Sequence, residues 1–502
     1  MRMNAFAGAF SCMVALATIQ GKAQQPFDLD TTFRAAMVAS GGNYPLGVNS
    51  LLVLPDGDLI LSGQLRFPWD PNWIAPRSGC RLNSDGTRDL DFASYPLMGG
   101  VVKAWNDRMY VRNGQGLRRL WLDGQLDALF DMAGAPYFSA GVGGDFHVFA
   151  DGRVLITGSH DLQDSIHGYV GTYELVWFSN TGYLDTTAVH RNCDGEVIRI
   201  EEQPDGKFLS SCICTVYEGS SVGRLFRVEA DGALDPSFQT DFVWGHAKDF
   251  TVLADGRVLA SGFMRRNGET DTLHIVRLMP DGSMDPTFNS TLDVRDLQLN
   301  FLSDYISVFH TTLPDGRIVI HGNFDRVNGE VRRGIAMLDS NGYLLSDPFS
   351  GTGCGDYDDG TFPNSHSTIS MAQDPIGNWY IYGSYAGYDD GTTNDPQQRF
   401  VSRLHGLNVG VEELDPEPLG SLTLQPNPAS NWLACTYRVT SAGGNPQLLI
   451  RDMTGRIVDQ LTASGPEGQV IWDARAVPAG AYQVELIDGN KVVAVQRAIL
   501  QP

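Results

Sequence analysis

The feature that most constrains this chain is a turn that keeps returning. Asp-Gly occurs at Asp56-Gly57, Asp151-Gly152, Asp205-Gly206, Asp255-Gly256 and Asp315-Gly316, each before a mostly apolar, often β-branched run. Glycine tolerates positive φ, so Asp-Gly between two such runs specifies a tight hairpin. Degenerate copies stand at Asn106-Asp107-Arg108, before Met109-Tyr110-Val111, and at Ile376-Gly377-Asn378, before Trp379-Tyr380-Ile381-Tyr382. Five clean and two degenerate copies make seven, spaced by about 45 to 60 residues. Val258-Leu259-Ala260 and Ile318-Val319-Ile320 are apolar at consecutive rather than alternate positions, the pattern of strands buried on both faces.

Each copy has a second half. His274-Ile275-Val276-Arg277-Leu278 leads to a further turn, Asp281-Gly282, with equivalents at Asp85-Gly86, Asp123-Gly124, Asp231-Gly232 and Asn341-Gly342. A closing strand follows, Met284-Asp285-Pro286-Thr287-Phe288 here and Leu234-Asp235-Pro236-Ser237-Phe238 earlier. Four short strands per unit at this period predict a β-propeller; a row of sandwiches needs ~100 residues per domain. The seventh unit stops near Gly406 without its closing strand, and the missing strand stands at the other end as Leu29-Asp30-Thr31-Thr32-Phe33. The expectation is an all-β, seven-bladed propeller over 24–410, sealed by its N-terminal strand so that two sheet edges disappear.

The repeat resembles the delta-60 family of bacterial propeller-like repeats. Leu313 to Phe324, Asn328-Gly329 and the 281–288 turn carry the likeness, which spans about residues 26–406. It implies a fold and transfers no catalytic motif.

Residues 411–420, VEELDPEPLG, read as an acidic, proline-bearing linker. Beyond it, over 421–502, short strands with glycine turns predict a small β-sandwich. Pro426-Asn427-Pro428-Ala429-Ser430, the hairpin Asp452-Met453-Thr454-Gly455-Arg456 and the strand Val477-Pro478-Ala479-Gly480-Ala481-Tyr482-Gln483-Val484 occur in that order. Together they resemble the type A C-terminal sorting domain of the Bacteroidota type IX secretion system, with Pro426, Asn427, Pro428, Gly455, Gly480 and Tyr482 as its motif residues. The resemblance implies the secretion machinery as partner, passage across the outer membrane, removal of this domain, and release or surface attachment. The family usually ends in a lysine-rich strand, whereas this chain ends Val493-Ala494-Val495-Gln496-Arg497-Ala498-Ile499-Leu500-Gln501-Pro502.

The opposite end agrees with export. Arg2, the apolar run Ala5 to Ile19 and the small residues of Gly21-Lys22-Ala23 read as a signal peptide over 1–23. No later stretch reaches the ~18 apolar residues a membrane helix needs. With 36 basic against 59 acidic residues, the net charge of −23 disfavours nucleic acid and anionic lipid as partners. Among the cysteines beyond the signal, Cys193 with Cys212 or Cys214 is the expected disulfide, because they flank one predicted hairpin.

The two Asp-Gly turns of each unit fall on one face, and the long, variable connections on the other, where function in repeat folds resides. Trp69, Trp73, Tyr385 and Tyr388 lie in those connections and suit sugar stacking or protein contact; the alternative is that they pack on their own loops. Asp356, Asp358 and Asp359 start like a calcium loop, but Gly360 comes one residue early and no Glu closes it, so no metal and no cofactor is expected. No H-E-x-x-H motif is present. The favoured reading is a secreted or surface-exposed, non-enzymatic binding module for an unidentified protein or glycan. The alternatives are a polysaccharide hydrolase or lyase with its site at the channel mouth, and a passive surface or adhesion component.

Overall fold

The structure, a computed structural model, describes residues 25–38, 45–70, 75–96, 98–113, 116–297, 304–357, 367–407, 420–439, 446–452, 456–488 and 491–501. The signal segment and most of the linker lie outside these residues. The chain divides into two compact units, Met1–Gly410 and Val411–Pro502. Among the described residues the architecture is all-β, and no helix is long and apolar enough to cross a membrane.

The recurring turns form as the glycines require. Gly57, Gly152, Gly206, Gly256 and Gly316 all have φ between 82° and 86°. The connection is one residue longer than a two-residue hairpin. Gly256 N donates to Leu253 O at 2.9 Å and Leu253 N to Arg257 O at 2.8 Å, which places glycine in the left-handed position after a type I turn. The Asp255 carboxylate accepts the Arg257 amide at 3.1 Å, and Asp315 does the same for Arg317.

The apolar run after each turn becomes the second strand of an antiparallel sheet. In the fifth sheet, Val258–Arg266 lies between Phe242–Val252 and Leu273–Leu278, and its first seven residues are buried. The fourth sheet orders Val197–Glu202, Phe208–Cys212, Leu225–Val228 and Leu234–Gln239 in sequence. The sixth places Ile318–Gly322 between Val308–Thr312 and Ile335–Leu338, and the last places Trp379–Asp389 between Ser367–Gln373 and Asn394–Leu404. Successive sheets stack face to face through apolar cores. Leu259 and Ile275 of the fifth meet Ile318 and Ile320 of the sixth, and Tyr380, Tyr382 and Val401 of the last meet Leu51 and Leu61 of the first.

The fifth sheet has three strands, and the expected closing strand at 284–288 is reduced to the single bridge of Met284 with Leu278, held by side chains. Asp285 is 4% exposed, and Arg277 Nε donates to it at 2.7 Å and Arg257 Nη1 at 2.8 Å. Its other oxygen accepts the Thr287 amide and hydroxyl, at 2.9 and 2.7 Å, and the Arg277 guanidinium lies 4.9 Å from the Phe288 ring centre. Asp235 with Lys207, Arg227, Ser237 and Phe238 repeats the arrangement. So does Asp30, which accepts Arg403 Nε at 2.7 Å and the Thr32 amide at 2.9 Å, while Arg403 lies 5.2 Å from the Phe33 ring centre. Leu29 bridges Leu404 antiparallel, as Met284 bridges Leu278 and Leu344 bridges Leu338. The N-terminal segment thus holds on the last sheet the position that 284–288 holds on the fifth.

In the second unit, Gly420–Gln425, Trp432–Val439 and Glu467–Asp473 form one antiparallel sheet, and Ile457–Thr462, Gln447–Asp452, Gly480–Asp488 and Lys491–Leu500 another. Leu433, Cys435, Trp472, Leu448, Ile450, Tyr482 and Val484 fill the core between them. The Pro426-Asn427-Pro428 segment clasps the last strand. Asn427 Nδ2 donates to Arg497 O at 2.7 Å, its Oδ1 accepts Ile499 N at 2.9 Å, and Ala429 N donates to Ile499 O at 2.8 Å. Tyr482 is buried, with its hydroxyl donating to Pro478 O at 2.6 Å; Gly455 lies outside the described residues.

Candidate functional site

The first strands of consecutive sheets bring a row of charges together. Lys103 Nζ stands 3.3 Å from Asp145 Oδ1, Asp145 Oδ2 is 3.0 Å from Arg199 Nη1, and Arg199 Nη2 is 3.4 Å from Asp249 Oδ1 and 3.8 Å from Glu201. Lys103 lies in the second sheet (Val102–Trp105, Arg108–Asn113, Gly116–Trp121), Asp145 just before Phe146–Val148 of the third (with Phe138–Val142, Val154–Asp164 and Tyr169–Phe178), Arg199 in the fourth and Asp249 in the fifth, with signs alternating along the row. The last sheet joins it too: the charges of Asp249 and Arg199 bear on the buried Tyr382 hydroxyl.

At Arg199 and Asp249 a backbone irregularity aims the side chain. The register shifts between Val197 and Arg199, between Ala247 and Asp249, between Val48 and Ser50, and between Thr368 and Ser370. A bulge inserts one residue and re-aims its neighbour. Ser50, Asp145, Arg199, Asp249 and Ser370 each stand six residues before the turn residue of their copy, at Asp56, Asp151, Asp205, Asp255 and Ile376. A polar residue at that fixed offset before the turn is a signal that the turn positions alone do not carry.

Burial alone pushes Asp145 up, but Lys103 and Arg199 outweigh it and hold the carboxyl below its ordinary value. Burial likewise opposes charge on Arg199, and Asp145, Asp249 and Glu201 outweigh it, so the guanidinium stays charged. His147, on the strand after Asp145, is pushed down to about 4 by burial and by Lys103, so it is neutral at pH 7; its Nε2 lies 3.2 Å from Glu202. The row is an ion-pair network whose charges already have partners. One serine–histidine pair has nucleophile–base spacing, with Ser261 Oγ 2.7 Å from His310 Nδ1. Both are buried, and His310 Nε2 meets Thr251 Oγ1 at 3.0 Å rather than an orienting carboxylate.

The residues singled out from sequence fare differently. Trp69 is 58% exposed and stacks on Phe67 with ring centres 5.7 Å apart; Trp73 lies outside the described residues. Tyr385 and Tyr388 do not project from a loop, which corrects the expectation. Both lie in the strand Trp379–Asp389 and are 0% and 1% exposed. The strand runs on past the expected loop because Asn394–Leu404 pairs along it and Gly353–Cys354 covers its end, and the Tyr385 hydroxyl donates to Ser402 Oγ at 2.9 Å. The disulfide also differs: it joins Cys212 to Cys214, whose Cα atoms are 5.2 Å apart, and leaves Cys193 free with its thiol on Gly195 O at 3.1 Å. Cys193 belongs to the connection before Val197–Glu202, where Cys193 bridges Tyr217 rather than either cysteine. Asp356 pairs with Arg333 at 3.3 Å, while Asp358 and Asp359 lie outside the described residues. Among the described residues no group of three or more His, Cys, Asp or Glu has metal-binding geometry.

The profile of a family described as "Domain of unknown function (DUF5122) beta-propeller" matches residues 203–238, 253–288 and 313–344. Each matched segment begins in or just before an Asp-Gly turn and reaches its closing strand. No curated protein matches the chain. Among solved structures, the chain is similar to PorZ, a surface component of the type IX secretion system of Porphyromonas gingivalis, with 13% identity over 95% of this chain and 87% of that one, at a TM-score of 0.23. It is also similar to a Bacteroides caccae protein of unknown function, with 14% identity over 57% of this chain and 92% of that one, at a TM-score of 0.30.

Proposed function

We propose that this chain is an exported, seven-bladed β-propeller closed by its N-terminal strand, and that it works as a binding module through its loop face. The observation that carries this reading is the contrast between the two faces. On the turn face the charged side chains are consumed within each repeat: Arg257 and Arg277 by Asp285, Lys207 and Arg227 by Asp235, Arg403 by Asp30. The loop face differs from sheet to sheet, and Trp69 and Tyr305 are exposed there, although the turn side also exposes Tyr183 and Tyr343, so it is the variation of the loops that distinguishes the faces. Closure is supported by the Asp30–Arg403 pair and by the packing of the last sheet on the first. A hydrolase reading gains nothing from Ser261 and His310, which substrate does not reach.

The second unit serves in this reading as the sorting domain that engages the type IX machinery, which puts the mature protein outside the cell. The motif order and the Asn427 clasp on the terminal strand support it. The test is fractionation of a type IX-competent host expressing the full chain or residues 1–410. Retention of the truncated chain inside the cell supports the sorting role, and its normal appearance in the medium overturns it. For the binding role, the full chain is screened on an array of neutral and acidic glycans and proteins. Loop-side Trp69→Ala or Tyr305→Ala should reduce a signal that turn-side Arg317→Ala leaves unchanged; the reverse pattern overturns the assignment of faces.

A further inference from the structure

In the second unit, the sheet of Gly420–Gln425, Trp432–Val439 and Glu467–Asp473 turns one face to the core and the other outward. Along Trp432–Val439, Leu433, Cys435, Tyr437 and Val439 point into the core, so Trp432, Ala434, Thr436 and Arg438 point out. Along Glu467–Asp473, Trp472 points in, and Gln469, Ile471 and Asp473 point out. The register sets Thr436 opposite Gln469, Ala434 opposite both Ile471 and Gln425, and Trp432 opposite Asp473. The outer face of a half-buried antiparallel sheet is ordinarily polar. This one is polar at Ser421, Thr423, Thr436 and Gln469, but at its Trp432 end it is not. Trp432 is 52% exposed and Ile471 51%, and neither belongs to the core between the sheets. Ala434 also points outward, yet it is buried, because larger neighbours stand around it. It forms the floor of an open recess of about 570 Å³, walled by Trp432, Ile471, Gln425, Gln469 and Pro426.

The lining combines one flat ring, small and aliphatic side chains and two amides, and it contains no charged group. The charges beside it on the same face are paired with one another: Asp473 with Arg475 at 2.6 Å, and Glu467 with Arg438 at 3.6 Å. Gln469 Nε2 donates to Thr436 Oγ1 at 3.0 Å, which fixes the amide and leaves its oxygen to accept. An exposed indole face suits the C–H face of a sugar ring, and amides both donate to hydroxyls and accept from them. An ionic ligand finds no counter-charge in this recess. A wholly apolar one would cover the two amides without replacing their hydrogen bonds to water, which is costly. A neutral ring bearing hydroxyls meets the indole and the amides together.

We propose that this recess is a binding site for a neutral saccharide, with Trp432 stacking on one hexose ring and Gln425 and Gln469 hydrogen-bonding its hydroxyls. The site belongs to the second unit and does not rest on the reading of the loop face. The test is calorimetric titration of the full chain with β-linked hexasaccharides of glucose, mannose and galactose, and with a galacturonic-acid hexasaccharide as the acidic counterpart. The titrations are repeated on Trp432→Ala, Trp432→Phe, Gln469→Ala and the loop-face variant Trp69→Ala. The expected result is that a neutral hexasaccharide binds about tenfold or more tighter than the acidic one, and that Trp432→Ala weakens it by about tenfold or more. Gln469→Ala should weaken it less, Trp432→Phe should keep part of it, and Trp69→Ala should leave it unchanged. The second unit of Trp432→Ala should melt as in the parent, because the indole lies outside the core. Binding of none of the three neutral hexasaccharides overturns the site, and so does neutral binding that Trp432→Ala leaves intact. Loss of binding in Trp69→Ala alone assigns the saccharide to the loop face instead. Equal binding of the acidic hexasaccharide overturns the ligand class. Self-association in light scattering that Trp432→Ala abolishes, with no saccharide bound, overturns the proposal and gives the recess to a second copy of the chain.

Discussion

Phe33→Ala tests whether the N-terminal segment is the outer strand of the last sheet. Phe33 is 0% exposed, packs edge-on against Tyr380 with ring centres 5.3 Å apart, and carries Arg403 over its face. Truncating a buried phenylalanine to alanine costs about 3–5 kcal/mol. An unfolding entropy of roughly 2.1 cal/mol/K per residue over about 380 residues of the first unit gives ~0.8 kcal/mol/K, so a loss of ~4 kcal/mol lowers Tm by about 5 °C. The assay is scanning calorimetry of the full chain, following the transition of larger enthalpy, which belongs to the larger unit. Thr31→Ala, on an exposed neighbour in the same segment, should stay within ~0.5 kcal/mol of the unaltered protein. Deleting residues 24–36 should exceed the single substitution severalfold, since it also removes Phe27, Leu29 and the Asp30 bonds to Arg403 and Thr32. A Phe33→Ala protein melting within 1 °C of the parent would refute the docking of this strand.

Other predictions follow from the buried charges. Asp145→Asn leaves Lys103 and Arg199 facing each other without their shared carboxylate and should cost about 3–5 kcal/mol, read by denaturant unfolding. Acid unfolding should proceed in two stages. Burial pushes His147, His160, His190 and His246 down to about 4, so between about pH 6.5 and 4 the unfolded chain binds protons that the folded one refuses, and Tm falls as pH drops through that window. A second loss begins below about pH 3.9, because Asp235 and Asp285, despite burial, are held below the ordinary carboxyl range by their hydroxyl, lysine and arginine partners. Glu174 runs the other way: burial pushes its carboxyl up to about 7, so the folded state resists its ionisation, and Glu174→Gln should stabilise the protein by ~1–3 kcal/mol above pH 7 and have little effect near pH 5. Asn427→Ala removes both side-chain bonds to the terminal strand and should lower the stability of the second unit by about 1–3 kcal/mol, measured on its own calorimetric transition.

Much of the fold was legible because its causes are local. Asp255-Gly256 specifies its turn by what glycine alone permits at φ near +82°, and Val258-Leu259-Ala260 specifies a strand covered on both faces. The displaced Leu29-Asp30-Thr31-Thr32-Phe33 segment announced its destination because it repeats the words of 284–288, and the Asp30–Arg403 pair shows why those words recur: aspartate, hydroxyl and phenylalanine together satisfy one arginine. The candidate site was less legible. The extent of the Trp379–Asp389 strand depends on Gly353–Cys354 arriving from elsewhere in the chain, so Tyr385 and Tyr388 read as loop residues until that partner is seen. Cys193 and Cys212 flank one hairpin in sequence, yet the bonded pair is Cys212 and Cys214. The charged row of Lys103, Asp145, Arg199 and Asp249 draws one member from each of four sheets, and the Trp244–Tyr305 ring contact joins the fifth sheet to the loop before the sixth. By itself the sequence determined the turns, the repeat and the burial of its strands, because φ preference and side-chain period act within a few residues. Only the tertiary structure decided which side chains meet, because that depends on how successive sheets stack and on bulges that turn one residue per strand toward its neighbours.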